Sequence, residues 1–378
     1  MKNIAIVSHK YLPQPDDDLV YFLNRKNEYN IFHIKHSFPD AKDRRSFLDL
    51  YLNGKKVREI KTLDYIFLPE AFVYFKELFF TLKWLISSKR KYDLYIGMDG
   101  LCVFFGLLLK SLGVCRKVVY WSIDFVPQGR FKQSWKNLVY RNIDILACKS
   151  ADEVWDLSPR MAEGRKRYLG ISKKDYKFHR VVPYGVWIDR IKKVPYSKCE
   201  RNTMVFMGHL MPKQGVDVVI AKIPEIVKRI PDFKFKIIGG GSYKEKLINL
   251  AKNLSVDKYC LFAGRIEDNR ILEDEVAKSA VAIAPYLKTP DSYTYYADSG
   301  KIKTYLACGV PVLTTDLPWS AEEIVEEKCG LIISDKGEDL IGKLTYIMKP
   351  KVNEEFRRNA KQYSNKFDYN KIFSSLNL

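Results

Sequence analysis

The sequence has few histidines, and its cysteines show none of the groupings typical of metal sites or disulfide frameworks. Five His and seven Cys are scattered over 378 residues, with no C-x-x-C and no His ligand spacing. Isolated cysteines in apolar settings are usually reduced core residues of cytoplasmic proteins. We therefore expect no structural zinc site and a cytoplasmic location.

Long apolar runs are also missing. A membrane-spanning helix needs about 20 apolar residues, whereas the stretch 71–86 is interrupted by charges and the stretch 101–109 is too short. The first apolar run, 3–8, follows directly on Lys2 and leaves no room for a signal peptide. We expect neither a transmembrane helix nor a secretory signal.

Acidic residues are scarce relative to basic ones. The chain has 45 Asp and Glu against 64 Lys and Arg, a net charge of +19, and residues 1–190 alone carry 34 basic against 21 acidic side chains and therefore +13. This excess favours an anionic partner, although Lys-rich solvated surfaces produce the same count. Nucleic acid is the least favoured partner, because no RNA-binding strand motif, helix-turn-helix spacing or zinc knuckle is present.

The sequence does contain a regular alternation of short β-rich runs and helical stretches. The β-rich runs of the first half are 3–8, 63–68, 94–96, 117–122, 154–157 and 178–182, and those of the second are 204–207, 233–238, 260–263, 281–285, 312–314 and 331–333. This alternation predicts an α/β protein with two tandem, doubly wound Rossmann-like domains. Ligands of such folds bind at the carboxyl ends of strands, so a cleft between the domains is the expected active site.

The domain limits follow from the aperiodic, Lys-rich segment 191–201, which is typical of a linker. We predict an N-terminal domain over 1–190 and a C-terminal domain over 202–355. A C-terminal helix within 356–378 is predicted to pack back on the N-terminal domain.

Three loops of the second predicted domain carry residues suited to phosphate. The loop 208–215 has Gly at both ends and Lys213 between, the loop 239–242 reads Gly-Gly-Gly-Ser, and the segment 298–309 begins a short helix with Lys301 in its first turn. Exposed backbone N–H groups at helix starts, together with lysine, attract a diphosphate. Each loop alone is weak evidence, since the glycines lack the spacing of a dinucleotide-binding or P-loop motif.

Taken together, these motifs resemble the group-one family of retaining, nucleotide-sugar-dependent glycosyltransferases with the GT-B fold. The matching segments, in family order, are 151–158, 182–186, 207–217, 237–247, 262–265 and 305–312. The resemblance covers residues 150–350 well and the first 150 poorly.

The resemblance implies that the C-terminal domain binds a UDP- or GDP-sugar and the N-terminal domain a glycan or lipid-linked acceptor. It further implies retention at the anomeric carbon, no metal and no other cofactor. The donor-binding residues it implies are Gly208, His209, Gln214, Gly240, Gly241, Arg265, Asp298, Ser299 and Thr304. The catalytic candidates are Asp124, Lys213 and Lys301, of which Asp124 could instead cap the turn before Pro127.

The sequence departs from the family at several of these positions. His209 and Gln214 stand where the family has Arg and Lys, and Tyr296 and Thr304 where it has two Glu. We expect Asp298, with Lys301 and Thr304, to replace the Glu pair. An inactive scaffold of the same fold, or an epimerase or phosphorylase acting on nucleotide sugars, remains the alternative.

The stretch 70–91 interleaves aromatic and basic residues within the basic half of the chain. Such a stretch predicts reversible docking on an anionic membrane surface at the inner leaflet. The alternative is that its aromatics form the buried face of a helix.

Overall fold

A computed structural model describes residues 1–10, 14–38, 41, 43–64, 69–127, 129–192, 194–289 and 293–378. The chain forms two compact units: unit 1 comprises Met1–Pro183 and Phe373–Leu378, and unit 2 comprises Tyr184–Ile372. The boundary therefore lies before the segment that the sequence indicates as a linker.

Unit 1 contains eight strands and the first five helices of the described chain. The strands are β1 (Lys2–Lys10), β2 (Tyr29–Ser37), β3 (Phe47–Leu52), β4 (Lys55–Lys61), β5 (Leu94–Gly97), β6 (Val118–Ser122), β7 (Glu153–Asp156) and β8 (His179–Val181). The helices are α1 (Pro15–Lys26), α2 (Glu70–Ser87), α3 (Gly100–Ser111), α4 (Ser134–Ser150) and α5 (Pro159–Leu169).

The unit 1 strands form one sheet in the order β4-β3-β2-β1-β5-β6-β7-β8. β3 and β4 pair antiparallel at one edge, and the other neighbouring strands pair parallel. The connections run outward from β1 in both directions, so β1 and β5 flank the point where the strand order reverses. At such a switch point the loops diverge and leave room for a ligand.

The β3–β4 hairpin is a structure that the sequence prediction omits. Its turn is Asn53-Gly54, with φ of 52° and 72°, which is the left-handed pair that two-residue hairpins require. β2 is also omitted, because His33, Lys35 and His36 interrupt its apolar pattern. The predicted strand 63–68 lies outside the described residues from 65 onward, and residues 62–64 are not in a strand.

The described residues of unit 2 form six strands and seven helices, and an eighth helix continues from unit 2 into unit 1. The strands are β9 (Glu200–Met207), β10 (Lys234–Ile238), β11 (Cys260–Gly264), β12 (Ser279–Ala284), β13 (Val312–Thr314) and β14 (Gly330–Ile332). The helices are α6 (Val216–Arg229), α7 (Lys244–Asn253), α8 (Asn269–Ala277), α9 (Gly300–Ala307), α10 (Ala321–Glu326), α11 (Leu340–Ile347), α12 (Pro350–Ser364) and α13 (Tyr369–Ser374).

The unit 2 sheet is wholly parallel, in the order β11-β10-β9-β12-β13-β14. Two apolar cores cover it, one containing Phe206, Ile220 and Phe235 and the other containing Val205 and Leu306. Strand order reverses between β9 and β12. The loops that follow these two strands therefore meet at the switch point of unit 2.

The C-terminal segment is divided between the units rather than forming the single helix predicted over 356–378. Residues 356–364 lie in α12, which belongs to unit 2 and in which buried Arg357 donates to the carbonyl oxygens of Ser279 at 2.7 Å and Ala277 at 2.8 Å. Only the last residues belong to unit 1, where the Phe373 ring lies 5.5 Å from that of Phe22. Within the described ranges, no helix is both long and apolar enough to cross a bilayer.

Candidate functional site

Three glycines bring the loops after β9 and β10 into backbone contact. A side chain on Gly239 would place its Cβ 1.9 Å from the carbonyl oxygen of Gly208, and one on Gly241 would lie 2.3 Å from that of Leu210. Gly239 and Gly241 also have φ of 150° and 152°, which other residues rarely adopt. Gly240, between them, faces open space. Gly239, Gly240 and Gly241 thus form a ledge without side chains, the glycine ledge, at the carboxyl end of the sheet.

The ammonium group of Lys301 lies beside this ledge. It sits 4.4 Å from the centre of the Phe206 ring and 5.0 Å from that of Tyr286, and it donates a hydrogen bond to Oε1 of Gln214. Among the described residues no carboxylate pairs with it. Aromatic faces and an amide oxygen stabilise a cation only in part, so Lys301 retains capacity to bind an anion.

Lys213 adds a second positive charge from the loop after β9. Burial, and then the charge of Lys213, lower the pKa of Lys301 to about 7. Burial lowers the pKa of Lys213 to about 8. Two ammonium groups close enough to repel each other, on the loops of the unit 2 switch point, form a site that a diphosphate would stabilise.

Asp298 is not available to a ligand as the sequence predicts. It is buried, and its Oδ2 accepts hydrogen bonds from the ammonium group of Lys303 and, at 2.7 Å, from the backbone N–H of Tyr184. Its Oδ1 accepts from Nε1 of Trp319 at 2.8 Å. Because a buried carboxylate needs such partners, Asp298 has a structural role, and it does not replace either Glu of the family.

The remaining predicted donor-binding residues are distributed around the same edge. The hydroxyl groups of Ser299 and Tyr286 form a hydrogen bond of 2.7 Å. The Thr304 hydroxyl donates to the carbonyl oxygen of Gly300 at 3.2 Å. His209 is exposed, and so is Arg265, which pairs with Glu267 at 2.8 Å. The structure therefore gathers Gly208, Gln214, Lys213 and Lys301, with the ledge glycines, into one group.

Asp124 lies in unit 1, after β6, where it forms an ion pair with Arg130. The pair is partly exposed, so Asp124 can still meet a ligand hydroxyl. The prediction that Asp124 is catalytic stays a prediction.

A buried group at the unit 1 switch point was not predicted from the sequence. His9, near the end of β1, contacts Asp99 at 2.6 Å through Nδ1 and Glu77 at 2.9 Å through Nε2. Although burial opposes the charged form, Asp99, with Cys102 and Glu77, raises the pKa of His9 well above its ordinary value. The signal that could have found it is positional, since His9 directly follows the apolar run 3–8 and Asp99 lies two residues after β5.

Two clusters of unit 1 carry side chains that metals accept as ligands: His9, Asp99 and Cys102, and Asp16, Asp17 and His33. Their ligand atoms lie within 4.8 Å of one another. They are, however, hydrogen-bonded to each other, as in the 2.8 Å contact between His33 and Asp16.

The whole chain shares its fold with solved sugar-nucleotide enzymes. Sucrose-phosphate synthase from Thermosynechococcus elongatus superposes with a TM-score of 0.74 at 15% identity, over 100% of this chain and 98% of that one. HepE from Anabaena, solved with UDP-glucose, superposes with a TM-score of 0.70 at 13% identity, over 100% and 98%. The protein is therefore an α/β protein of the GT-B fold class.

A match to a known family lies in unit 2. Residues 201–349 match the model of the group 1 glycosyl transferases, so this part of the chain is similar to that family. A GDP-mannose-dependent alpha-(1-6)-phosphatidylinositol monomannoside mannosyltransferase of Mycolicibacterium smegmatis is 26% identical over 174 residues, which are 42% of this chain and 44% of that protein. The chain thus spans less than half the length of the curated relatives it matches.

The glycine ledge yields a prediction on stability. We expect Gly239→Ala to lower the free energy of unfolding by about 1–3 kcal/mol, because the new Cβ collides with the Gly208 carbonyl and the positive φ is strained. Gly240→Ala is the matched control and should change stability by less than about 0.5 kcal/mol. Urea denaturation of both variants measures this difference, and equal midpoints would contradict the packing described.

The lysine pair yields a prediction on pH. Above pH 7 Lys301, and above pH 8 Lys213, are increasingly deprotonated without a ligand, because their pKa values are about 7 and about 8. A bound diphosphate favours the protonated form of both lysines. Binding should therefore take up protons. Affinity for UDP or GDP should fall as pH rises from 7 to 9, by up to about tenfold per unit for each proton.

Calorimetry at pH 8 in buffers of different ionisation enthalpy measures this uptake directly. Lys301→Met should reduce it, and Lys258→Met, at an exposed position next to the amino end of β11, should not. Identical binding enthalpies in all buffers would contradict the assignment.

Proposed function

We propose that the protein transfers a sugar from a nucleotide-sugar donor to a glycan or lipid-linked acceptor. The observation that carries this proposal is the cationic group of Lys213 and Lys301 beside the glycine ledge, at the switch point of a Rossmann-like unit. A diphosphate is the ligand that this combination of charge, backbone and exposed ledge suits best.

The chemistry of these residues is leaving-group stabilisation. Cleavage of the bond between the sugar and the diphosphate leaves negative charge on the phosphate oxygens. Lys301 stands in the first turn of α9, so its ammonium group and the positive helix end both favour that charge. Since lysine and helix amides supply the neutralisation, we expect transfer without a metal, and with retention at the anomeric carbon as the family resemblance implies.

The donor and acceptor classes rest on the relatives. HepE was solved with UDP-glucose, and the Mycolicibacterium enzyme is named for GDP-mannose and a phosphatidylinositol mannoside acceptor. We therefore propose a UDP- or GDP-sugar donor bound by unit 2. Unit 1 would bind the acceptor, and the partly exposed carboxylates of Asp99 and Asp124, after β5 and β6, can accept hydrogen bonds from sugar hydroxyls.

The first test concerns Lys301. Lys301→Met keeps the packing against Phe206 and Tyr286 and removes the charge. Loss of a charge-assisted contact of about 2–3 kcal/mol should lower kcat/KM for the donor by about 30- to 150-fold.

A thermal-shift screen of UDP-, GDP-, ADP- and dTDP-sugars identifies the donor, and radiolabelled transfer to extracted lipid or glycan then measures turnover. Lys258→Met is again the control. Full activity of Lys301→Met at subsaturating donor would contradict the proposal, and donor binding without transfer to any acceptor would favour the inactive scaffold.

The second test concerns metal. We expect turnover to be unchanged in excess EDTA, because Asp298, the carboxylate that the sequence predicts at the donor site, is occupied by Lys303 and Trp319. Complete loss of turnover in EDTA, with recovery on addition of Mn²⁺ or Mg²⁺, would contradict this expectation.

A further inference from the structure

We propose that unit 1 docks on an anionic lipid bilayer through a surface made by α2 and α4. This α2/α4 face is defined by Phe72, Phe75 and Phe79 of α2 and by Trp135, Leu138 and Val139 of α4. The docking goes beyond sugar transfer and requires no turnover.

Helix α2 carries more apolar side chains than it buries in the core of unit 1. Phe72, Phe75 and Phe79 are 58%, 69% and 56% exposed, and their spacing of three and four residues places them on one side of the helix. The opposite side buries Val73 and Leu85 completely. The sequence left open whether the aromatics of 70–91 form the buried face of a helix. Trp84 is buried in this way, whereas Phe72, Phe75 and Phe79 are exposed.

A second exposed stripe lies on α4. Trp135 is 64% exposed and Leu138 is 62% exposed, with Val139 beside them. The first turns of the two helices are joined by the ion pair between Lys136 and Glu70. The two stripes are therefore neighbours on unit 1, and exposed aromatic and aliphatic groups of this kind suit the interfacial layer of a membrane.

The exposed charges of the two helices and the residues beside them are of one sign, although Asp43 and Asp64 lie near Lys76 of α2. The exposed charged residues of 70–91 and 129–150 are all basic: Lys83, Lys89, Arg90, Lys91, Lys132 and Lys149. The acidic residues of the same stretches are engaged, since Glu70 pairs with Lys136 and Glu77 and Asp144 are buried. Lys76 belongs to the interior, where its ammonium group donates to the carbonyl oxygen of Arg44 at 2.6 Å.

This combination favours an anionic bilayer over a protein partner. An apolar face with basic residues on the same two helices is complementary to negatively charged head groups over a fluid apolar phase. A second copy of the chain would instead bring the same positive charges together across the interface.

Trp135 makes the proposal directly measurable. Of the six Trp, four are buried and Trp319 is half-buried with its Nε1 bonded to Asp298, so Trp135 is the exposed reporter. Vesicles of phosphatidylcholine with phosphatidylglycerol, carrying brominated acyl chains, should quench part of the fluorescence and shift it to the blue. Trp135→Ser should remove that change, and pure phosphatidylcholine vesicles should not cause it.

Vesicle co-sedimentation gives the second readout. We expect anionic-only recovery that is lost at high salt, and a loss of at least about tenfold in partitioning for Phe75→Ser with Phe79→Ser. The matched control is Leu261→Ser with Ile271→Ser, which removes exposed apolar side chains from unit 2. Circular dichroism checks that both double variants are folded.

Three outcomes would overturn the proposal. These are equal recovery with neutral and anionic vesicles, equal loss in the two double variants, and dimerisation without lipid that Phe75→Ser abolishes. Donor binding to unit 2 is measured separately and does not depend on the lipid-docking result. Failure of docking and failure of sugar transfer are therefore distinguishable.

Discussion

The ammonium group of Lys301 is held between two aromatic rings and one amide oxygen, beside a second lysine and away from any paired carboxylate of the described chain. Such a charge is poorly compensated while the site is free of ligand. The ledge of Gly239 to Gly241 leaves room for an anion, and the start of α9 adds favourable backbone dipoles. The rest of the unit 2 site serves to position this one cation.

The two switch points of the chain have the same topology and opposite chemistry. In unit 2 the loops after β9 and β12 gather lysines, whereas in unit 1 the ends of β1 and β5 bring His9 between Asp99 and Glu77. A cationic edge suits a diphosphate, and an edge rich in carboxylates suits the hydroxyl groups of a sugar. This difference agrees with the proposed reaction, in which unit 2 binds the diphosphate of the donor and unit 1 binds the acceptor.

For Asp298 and the α2 aromatics, burial or exposure decides the role of the side chain, and the sequence pattern does not. Asp298 follows the pattern of a ligand-binding carboxylate in the sequence, yet Lys303, Trp319 and Tyr184 use its oxygens to close the start of α9. The α2 phenylalanines follow the pattern of a core helix, yet three of them remain exposed. The partners of Asp298 lie 5, 21 and 114 residues away in the sequence, and the three phenylalanines are distinguished by their exposure alone.

The sequence by itself determined the fold class and the two-domain organisation, because hydrophobic periodicity and glycine placement act over short stretches of chain. The binding of phosphate by the loops around Gly208, Gly239 and Lys301 stays a prediction. The sequence pattern missed β2 and the β3–β4 hairpin, where polar side chains such as His33 pair with distant groups. Only the tertiary structure decided that Lys301 has no carboxylate partner among the described residues and that the apolar side chains of the α2/α4 face are exposed. Ion pairing and burial depend on contacts between segments tens or hundreds of residues apart, and local pattern carries no information on them.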